Sequence, residues 1–230
     1  MLSEIIQNRL AASISLNSYM SPIAEKVVSL LKQIEIQSEG EFQKCCVRKK
    51  LKKGDYLLEQ GQTTNRLWYL LEGIAHEYIQ HDDCKLTLSF VFPNVFIDYF
   101  PGTVGNLPAP RNIRLLTDAE IIEIDQERMM QIESIHKLVF DTRSMLIVFY
   151  NLELRERMLQ LQFLNAHERY VLLLERQPHL IKKIPSIYLA DYLGISAETL
   201  SRIRAKNLSE ISFKNKSVTQ YIVEKNSVKK

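Results

Sequence analysis

Cysteine, glycine and proline are all scarce in this chain of 230 residues, which holds three, seven and seven of them. Cys45, Cys46 and Cys84 are odd in number and contain no CxxC pair, so no disulfide framework is expected. So few glycines and prolines exclude a low-complexity chain. No apolar run approaches the roughly 20 residues of a membrane span, and no membrane partner is expected. Met1 to Leu16 mixes Glu4, Gln7, Asn8 and Arg9 among apolar residues, without the apolar stretch of a secretory signal. A cytoplasmic protein is therefore expected. Also missing are HExxH, P-loop and GxGxxG patterns and any Ser/His/Asp arrangement, so the expectation is no enzyme, no cofactor and no metal.

What is present is ordinary in bulk and uneven in distribution. The apolar and charged fractions, 46% and 25%, suit one large or two small globular domains. Residues 151–230 carry 14 Lys/Arg against 8 Asp/Glu, a balance of +6, whereas the other 150 residues carry 16 against 19, a balance of −3. A basic C-terminal part on a mildly acidic body reads either as a site for an anionic partner or as a solubilising tail.

Three kinds of pattern succeed one another along the chain. Ser21-Pro22 marks a helix start, with Ile23, Val27, Leu30, Leu31 and Ile34 at helical spacing. From about Cys45 to Asp125, short β-rich runs alternate with turn signals. Strands are predicted at 56–59, 67–71, 74–80, 85–91, 111–116 and 119–124, the signature of an antiparallel sandwich or barrel. From about Gln126 the pattern is helical. Leu138, Met145, Leu152 and Leu159 recur every seventh residue, with Val148 and Phe149 between them, a heptad-like seam. The seam reads as a dimer interface; the competing reading is a long helix packed on the chain's own sheet. Asn165 with Glu168 three residues on forms a capping box, and Pro178 and Pro185 punctuate the connections after that helix. No internal repeat is visible.

The most informative stretch is Ser186 to Ala205. Two short helices crossing steeply need a small residue at their contact, here Ala190, and a turn residue tolerant of positive φ, here Gly194. Ser196 is placed to cap the second helix, and Leu200 and Ile203 to face the first. That leaves Ala197, Glu198, Ser201 and Arg202 outward, as on a recognition helix in a major groove. Arg202 suits guanine N7 and O6, and Glu198 suits a cytosine amino group. Ser196 and Thr199 suit phosphates, and Arg204 and Lys206 add salt-sensitive attraction. The competing reading is a helical hairpin with solvated charges.

These residues carry a resemblance to the Crp/Fnr family over about residues 20–212. It rests on Lys53-Gly54-Asp55-Tyr56-Leu57, Gly61, the run Leu67 to Gly73, Ala166-His167-Glu168-Arg169-Tyr170, Ile184-Pro185 and the helix-turn-helix. The resemblance implies an α+β chain: an antiparallel cyclic-nucleotide-binding-like jelly roll, a long dimerisation helix and a C-terminal helix-turn-helix domain of winged-helix type. The expected divisions are 1–136, 137–163 and 164–230. The implied partners are double-stranded DNA and a second copy of the chain, with RNA polymerase and an unidentified small-molecule effector as further candidates.

Family members that bind cyclic AMP hold it with Gly-Glu and Arg-Ser/Ala pairs. Counted without gaps from Pro93, those positions hold Asp98 and Tyr99, then Ala109 and Pro110. Insensitivity to cyclic AMP is therefore expected. Asp98, Tyr99, Arg111 and Arg114 remain candidate ligand contacts, with solvated arginines as the plainer alternative. Three cysteines are too few for a cluster held by four thiolates. His76 and His81, the candidate haem ligands, are expected to be surface or hairpin residues. After Ile203 only a reduced wing fits, at Leu208–Phe213, and residues 206–230, with six Lys and two Glu, read as phosphate contact or a solvated end. The functional expectation is a homodimeric, sequence-specific transcription regulator. Its alternatives are a regulator gated by an unidentified ligand in the roll, or a sensory module that has lost DNA binding.

Overall fold

The computed structural model describes residues 21–179, 181–205 and 217–227. The chain divides into two compact units, one built on Val28–Thr142 and the other on Arg143 onward. Helix α1 (Ser21–Gln37) starts at the expected Ser-Pro pair and buries Leu30, Leu31 and Ile34. A single turn, α2 (Glu41–Lys44), leads into the sheets.

Among the described residues, eight strands make two four-stranded antiparallel sheets, a jelly roll. They are β1 (Cys46–Leu51), β2 (Tyr56–Leu58), β3 (Arg66–Glu72), β4 (Ala75–His81), β5 (Cys84–Val91), β6 (Val95–Ile97), β7 (Asn112–Leu115) and β8 (Ala119–Asp125). The orders are β1-β8-β3-β6 and β2-β7-β4-β5. Leu58, Trp68, Leu70, Ile113, Leu115 and Ile121 form the core. At Gly73 the chain turns with φ 105°, where a Cβ would stand 2.7 Å from that of Ala119, so only glycine closes the β3–β4 hairpin.

The six expected strands all form, within a residue or two of their bounds. The sequence pattern missed β1, because Arg48, Lys49 and Lys50 hide it. On this edge strand Arg48 pairs in two-pronged fashion with Glu120 of β8, at 2.7 and 2.9 Å, and Lys49 with Glu123 at 2.8 Å. Charged residues of this kind protect a sheet edge. The three-residue β6 was too short to read. So was α3 (Phe100–Gly105), where turn signals were expected.

His76 corrects the expectation of a surface histidine. It is 1% exposed, bonded to the Thr87 hydroxyl at 2.9 Å and stacked between Tyr78 and Phe90. His81 is exposed, as expected. Cys45 precedes β1 rather than sharing a strand with Cys46. Burial, aided by Cys45 and Glu35, pushes the Cys46 thiol up to about 12, and burial with Asp125 raises that of Cys45.

After α4 (Gln126–Met130), helix α5 (His136–Phe163) runs for 28 residues, and the two units divide within it. In the second unit follow α6 (Ala166–Arg176), α7 (Ser186–Leu193), α8 (Ala197–Ala205) and α9 (Val218–Ser227). The Asn165–Glu168 capping box closes in both directions, at 2.8 and 2.9 Å.

The tail departs from expectation. Leu208–Phe213, the expected wing, lies outside the described residues. Beyond it α9 is a docked helix rather than a solvated end. Val218 is fully buried with Leu164, Val171 and Leu172. Two carboxylates seat it. Glu156 of α5 accepts from the Val218 N–H at 3.2 Å and from Arg176 at 2.9 Å. Glu168 of α6 accepts from the Tyr221 hydroxyl at 3.0 Å and from Lys225.

Burial opposes the charge on Glu168, but Lys225, the Asn165 N–H and Tyr221 outweigh it and hold the carboxyl below its ordinary value. Burial and that same bond push Tyr221 up to about 12. A carboxyl depressed in the folded state adds stability above its unfolded pKa and loses it as the pH falls through the folded one. Glu168→Gln should therefore cost about 2 kcal/mol at pH 7, as expected for hydrogen bonds to a charged group. The cost should shrink below pH 4.5, the ordinary value. Denaturant unfolding at pH 7 and pH 3.5 measures both.

Candidate nucleic-acid interface

Helices α7 and α8 pack through Leu189, Ala190, Leu193, Leu200 and Ile203, all buried. Gly194 ends α7 with φ 66° and ψ 39°. Its N–H returns to the Asp191 carbonyl at 2.9 Å and that of Ile195 to Ala190 at 3.0 Å, the paired bonds of a Schellman motif. Ser196 then caps α8, its Oγ accepting from the Thr199 N–H at 3.2 Å.

The residues expected to meet DNA lie outward. Ser196, Ala197, Glu198, Ser201, Arg202 and Arg204 are exposed, and Thr199 is half-exposed. Arg202 donates to the Thr199 hydroxyl at 3.1 Å. The Ser196 hydroxyl bonds to Glu198 and holds its carboxyl below the usual range, with Arg202 adding to the effect. Arg204 is not a free cation: it donates to the Ser186 hydroxyl at 2.9 Å and ties α8 back to α7. Lys206 lies outside the described residues. Lys182 and Lys183, exposed on a 3₁₀ turn before α7, add basic charge to this unit and were not singled out in the sequence. Their signal was only two adjacent lysines before Pro185.

The candidate ligand residues of the roll are committed to the protein itself. Tyr99 is 5% exposed, part of the core, and donates to the Pro108 carbonyl at 2.7 Å. The Asp98 carboxylate accepts from Gln126 at 3.2 Å. Arg111 is not solvated: it is ion-paired to buried Glu77, donates to the Asp98 carbonyl at 3.2 Å and lies over the Tyr99 ring. Ser89 donates to the other Glu77 oxygen. Arg114 donates to the Gly54 carbonyl at 2.9 Å and covers Tyr56. Glu77 was missed because its strand, Ala75-His76-Glu77-Tyr78, is buried on both faces and shows no alternation.

Residues 48–136 match the cyclic nucleotide-binding domain. Among solved structures, the chain is similar to the c-di-GMP-responsive global regulator CLP of Xanthomonas campestris. The two share 19% identity over 72% of this chain and 88% of that one, with a TM-score of 0.55. FixK2 of Bradyrhizobium japonicum is 15% identical over 70% and 83%, with a TM-score of 0.57. No curated protein matches the sequence. The fold is that of the Crp/Fnr regulators.

Among the described residues no group of three or more His, Cys, Asp and Glu is placed to hold a metal ion, and no helix is long and apolar enough to cross a membrane. Along the long helix the residues of the expected seam are unevenly exposed. Leu138 is buried, Met145, Phe149, Leu152 and Leu159 are half-buried, and Val148 is exposed. Leu159 packs against the core beneath α9. A second heptad stands out in solvent: Ile147, Leu154 and Leu161 are 43%, 48% and 52% exposed, with Met158 beside them at 59%. Phe140, one heptad earlier, is also exposed. At about 100° per residue this stripe lies roughly opposite the buried Thr142, Glu156 and Gln160.

The Gly194 turn gives a direct test of the helix pair. Nothing crowds a Cβ there, so the constraint is backbone conformation alone. Gly194→Asn should be nearly neutral, whereas Gly194→Val should destabilise by about 1–2 kcal/mol in denaturant unfolding.

Proposed function

We propose that this chain is a sequence-specific, DNA-binding transcription regulator that acts as a homodimer without cyclic AMP. One observation carries the reading: α8 buries Leu200 and Ile203 and turns Glu198, Ser201 and Arg202 outward from a capped, glycine-turned helix pair. In a major groove Arg202 pairs with guanine and Glu198 accepts from cytosine. Ser196, Thr199, Lys182 and Lys183 hold phosphates, and Arg204 joins them by releasing Ser186. CLP, of similar fold, is described as a global regulator linked to virulence gene expression, which supports the same class of activity here.

Insensitivity to cyclic AMP rests on Arg111. Its charge is already balanced by Glu77, so an entering phosphate would meet a carboxylate in a desolvated place.

The second copy belongs on the exposed stripe of α5. Water-exposed Ile147, Leu154, Met158 and Leu161 form a seam of the coiled-coil type, and Asn151 within it selects register. Two recognition helices then reach successive major grooves, about 34–36 Å apart. The proposed seam lies two residues from the expected one, and Leu159 of the expected set packs on the core beneath α9.

Arg202→Ala should relax base preference at one position in each half-site and cost roughly 1–3 kcal/mol of specific binding. Selection from random duplexes reads this directly, and an unchanged preferred site would refute the assigned face. Ile147→Asp with Leu154→Asp should give monomers in sedimentation and weaken operator binding with them. A double variant that stays dimeric would move the interface elsewhere.

A further inference from the structure

The end of α7 poses a problem that any helix end poses: its last four carbonyls have no partner inside the helix. Here these are Ala190, Asp191, Tyr192 and Leu193. The first two are taken by the N–H groups of Ile195 and Gly194. The other two are taken by arginines from distant helices. Arg157 of α5 donates through Nη2 to the Tyr192 carbonyl, and Arg169 of α6 donates through Nη2 to the Leu193 carbonyl at 2.8 Å.

Both arginines do more than cap. The Arg157 guanidinium carbon sits over the Tyr192 ring, 3.8 Å from its centroid, and Arg157 bonds to Gln160 at 3.4 Å. Arg169 uses its other terminal nitrogen on the Leu164 carbonyl, just past the end of α5. Burial, together with the charge of Arg157, pushes the Arg169 pKa down. Two like charges are thus held close in a partly desolvated place, and the negative end of α7 compensates them.

We infer that Arg157 and Arg169 are positioning residues that hold the turn of the helix pair, and so the recognition helix, at a fixed angle to the long helix. The inference rests on the DNA-binding reading above, but its geometry does not touch DNA. Gly194 follows the clamped carbonyls immediately, and Ser196 starts α8 two residues later. A clamp on Tyr192 and Leu193 therefore fixes where α8 begins. Planarity matters as much as charge. A guanidinium lies flat on a ring while donating in its own plane, which a lysine ammonium does not do.

The test is Arg157→Lys, which keeps the charge, alongside Arg157→Ala. In the free protein, amide hydrogen exchange at residues 193–199 should quicken in both variants; unchanged exchange would overturn the clamp. On DNA, Arg157→Lys should lose about tenfold in affinity for the preferred operator, the scale of one hydrogen bond to a charged group. Binding to random duplex and its salt slope should stay as in the unsubstituted protein, because no phosphate contact is removed. Full recovery of operator affinity by lysine, equal losses on operator and random duplex, or a salt slope smaller by about one would each overturn the assignment. If the unsubstituted protein binds no duplex DNA, the functional reading falls, while hydrogen exchange still judges the clamp.

Discussion

A helix that ends inside a protein leaves carbonyls that must find donors, and in the second unit this one requirement organises the surroundings of α8. The turn supplies two donors from its own backbone. The remaining two come from α5 and α6, across 35 and 24 residues of sequence. The same economy recurs at α9, where the Val218 N–H at the helix start meets Glu156 and where Tyr221 and Lys225 converge on Glu168. Each contact ties a short helix to α5 or to α6. None of these helices is long enough to be stable alone. Their positions are set by paired charges at their ends as much as by the small core of Leu164, Val171, Leu172 and Val218.

The first unit meets a related demand in a different way. A roll of this fold is a container, and a container must be filled or wet. Here the polar groups fill themselves: Glu77 takes Arg111 and Ser89, Arg111 stacks on Tyr99, and Tyr99 bonds to Pro108. Removing one partner would strand a buried charge, which is costlier than never having placed the pair. The arrangement therefore favours keeping both residues and disfavours opening the site for another anion.

Legibility in the sequence tracked the range of the interactions. The helix pair was readable because its rules act within about ten residues: Ala190, Gly194, Ser196 and Leu200 each answer a local demand. The capping box at Asn165 was readable for the same reason. Six strands were readable from alternation and turns. β1 was not, because its lysines and arginines are strand residues only when Glu120 and Glu123 stand opposite. Glu77 with Arg111 and Arg157 with Tyr192 each join residues 34 or 35 apart in the chain, and no local pattern announces such a meeting. α9 was hidden in the lysine-rich stretch 206–230, although Val218, Tyr221 and Ile222 already carried helical spacing.

The long helix shows how one element can offer two apolar faces. A heptad count finds any set of apolar residues seven apart, and α5 contains two: Leu138 to Leu159, and Phe140 to Leu161. Sequence alone weighs them equally. Burial separates them, since the first set turns toward the chain's own cores and the second stays in water. The two sets divide the helix's work. The inner face holds Glu156 and Gln160, with Arg157 at its margin gripping α7. The outer face is what a second copy would cover. One helix thus carries the proposed partner on one side and the seat of the helix pair on the other. Because Arg157 holds α7 by a backbone carbonyl, that seat is proposed to carry any change in how two copies of α5 meet on to α8.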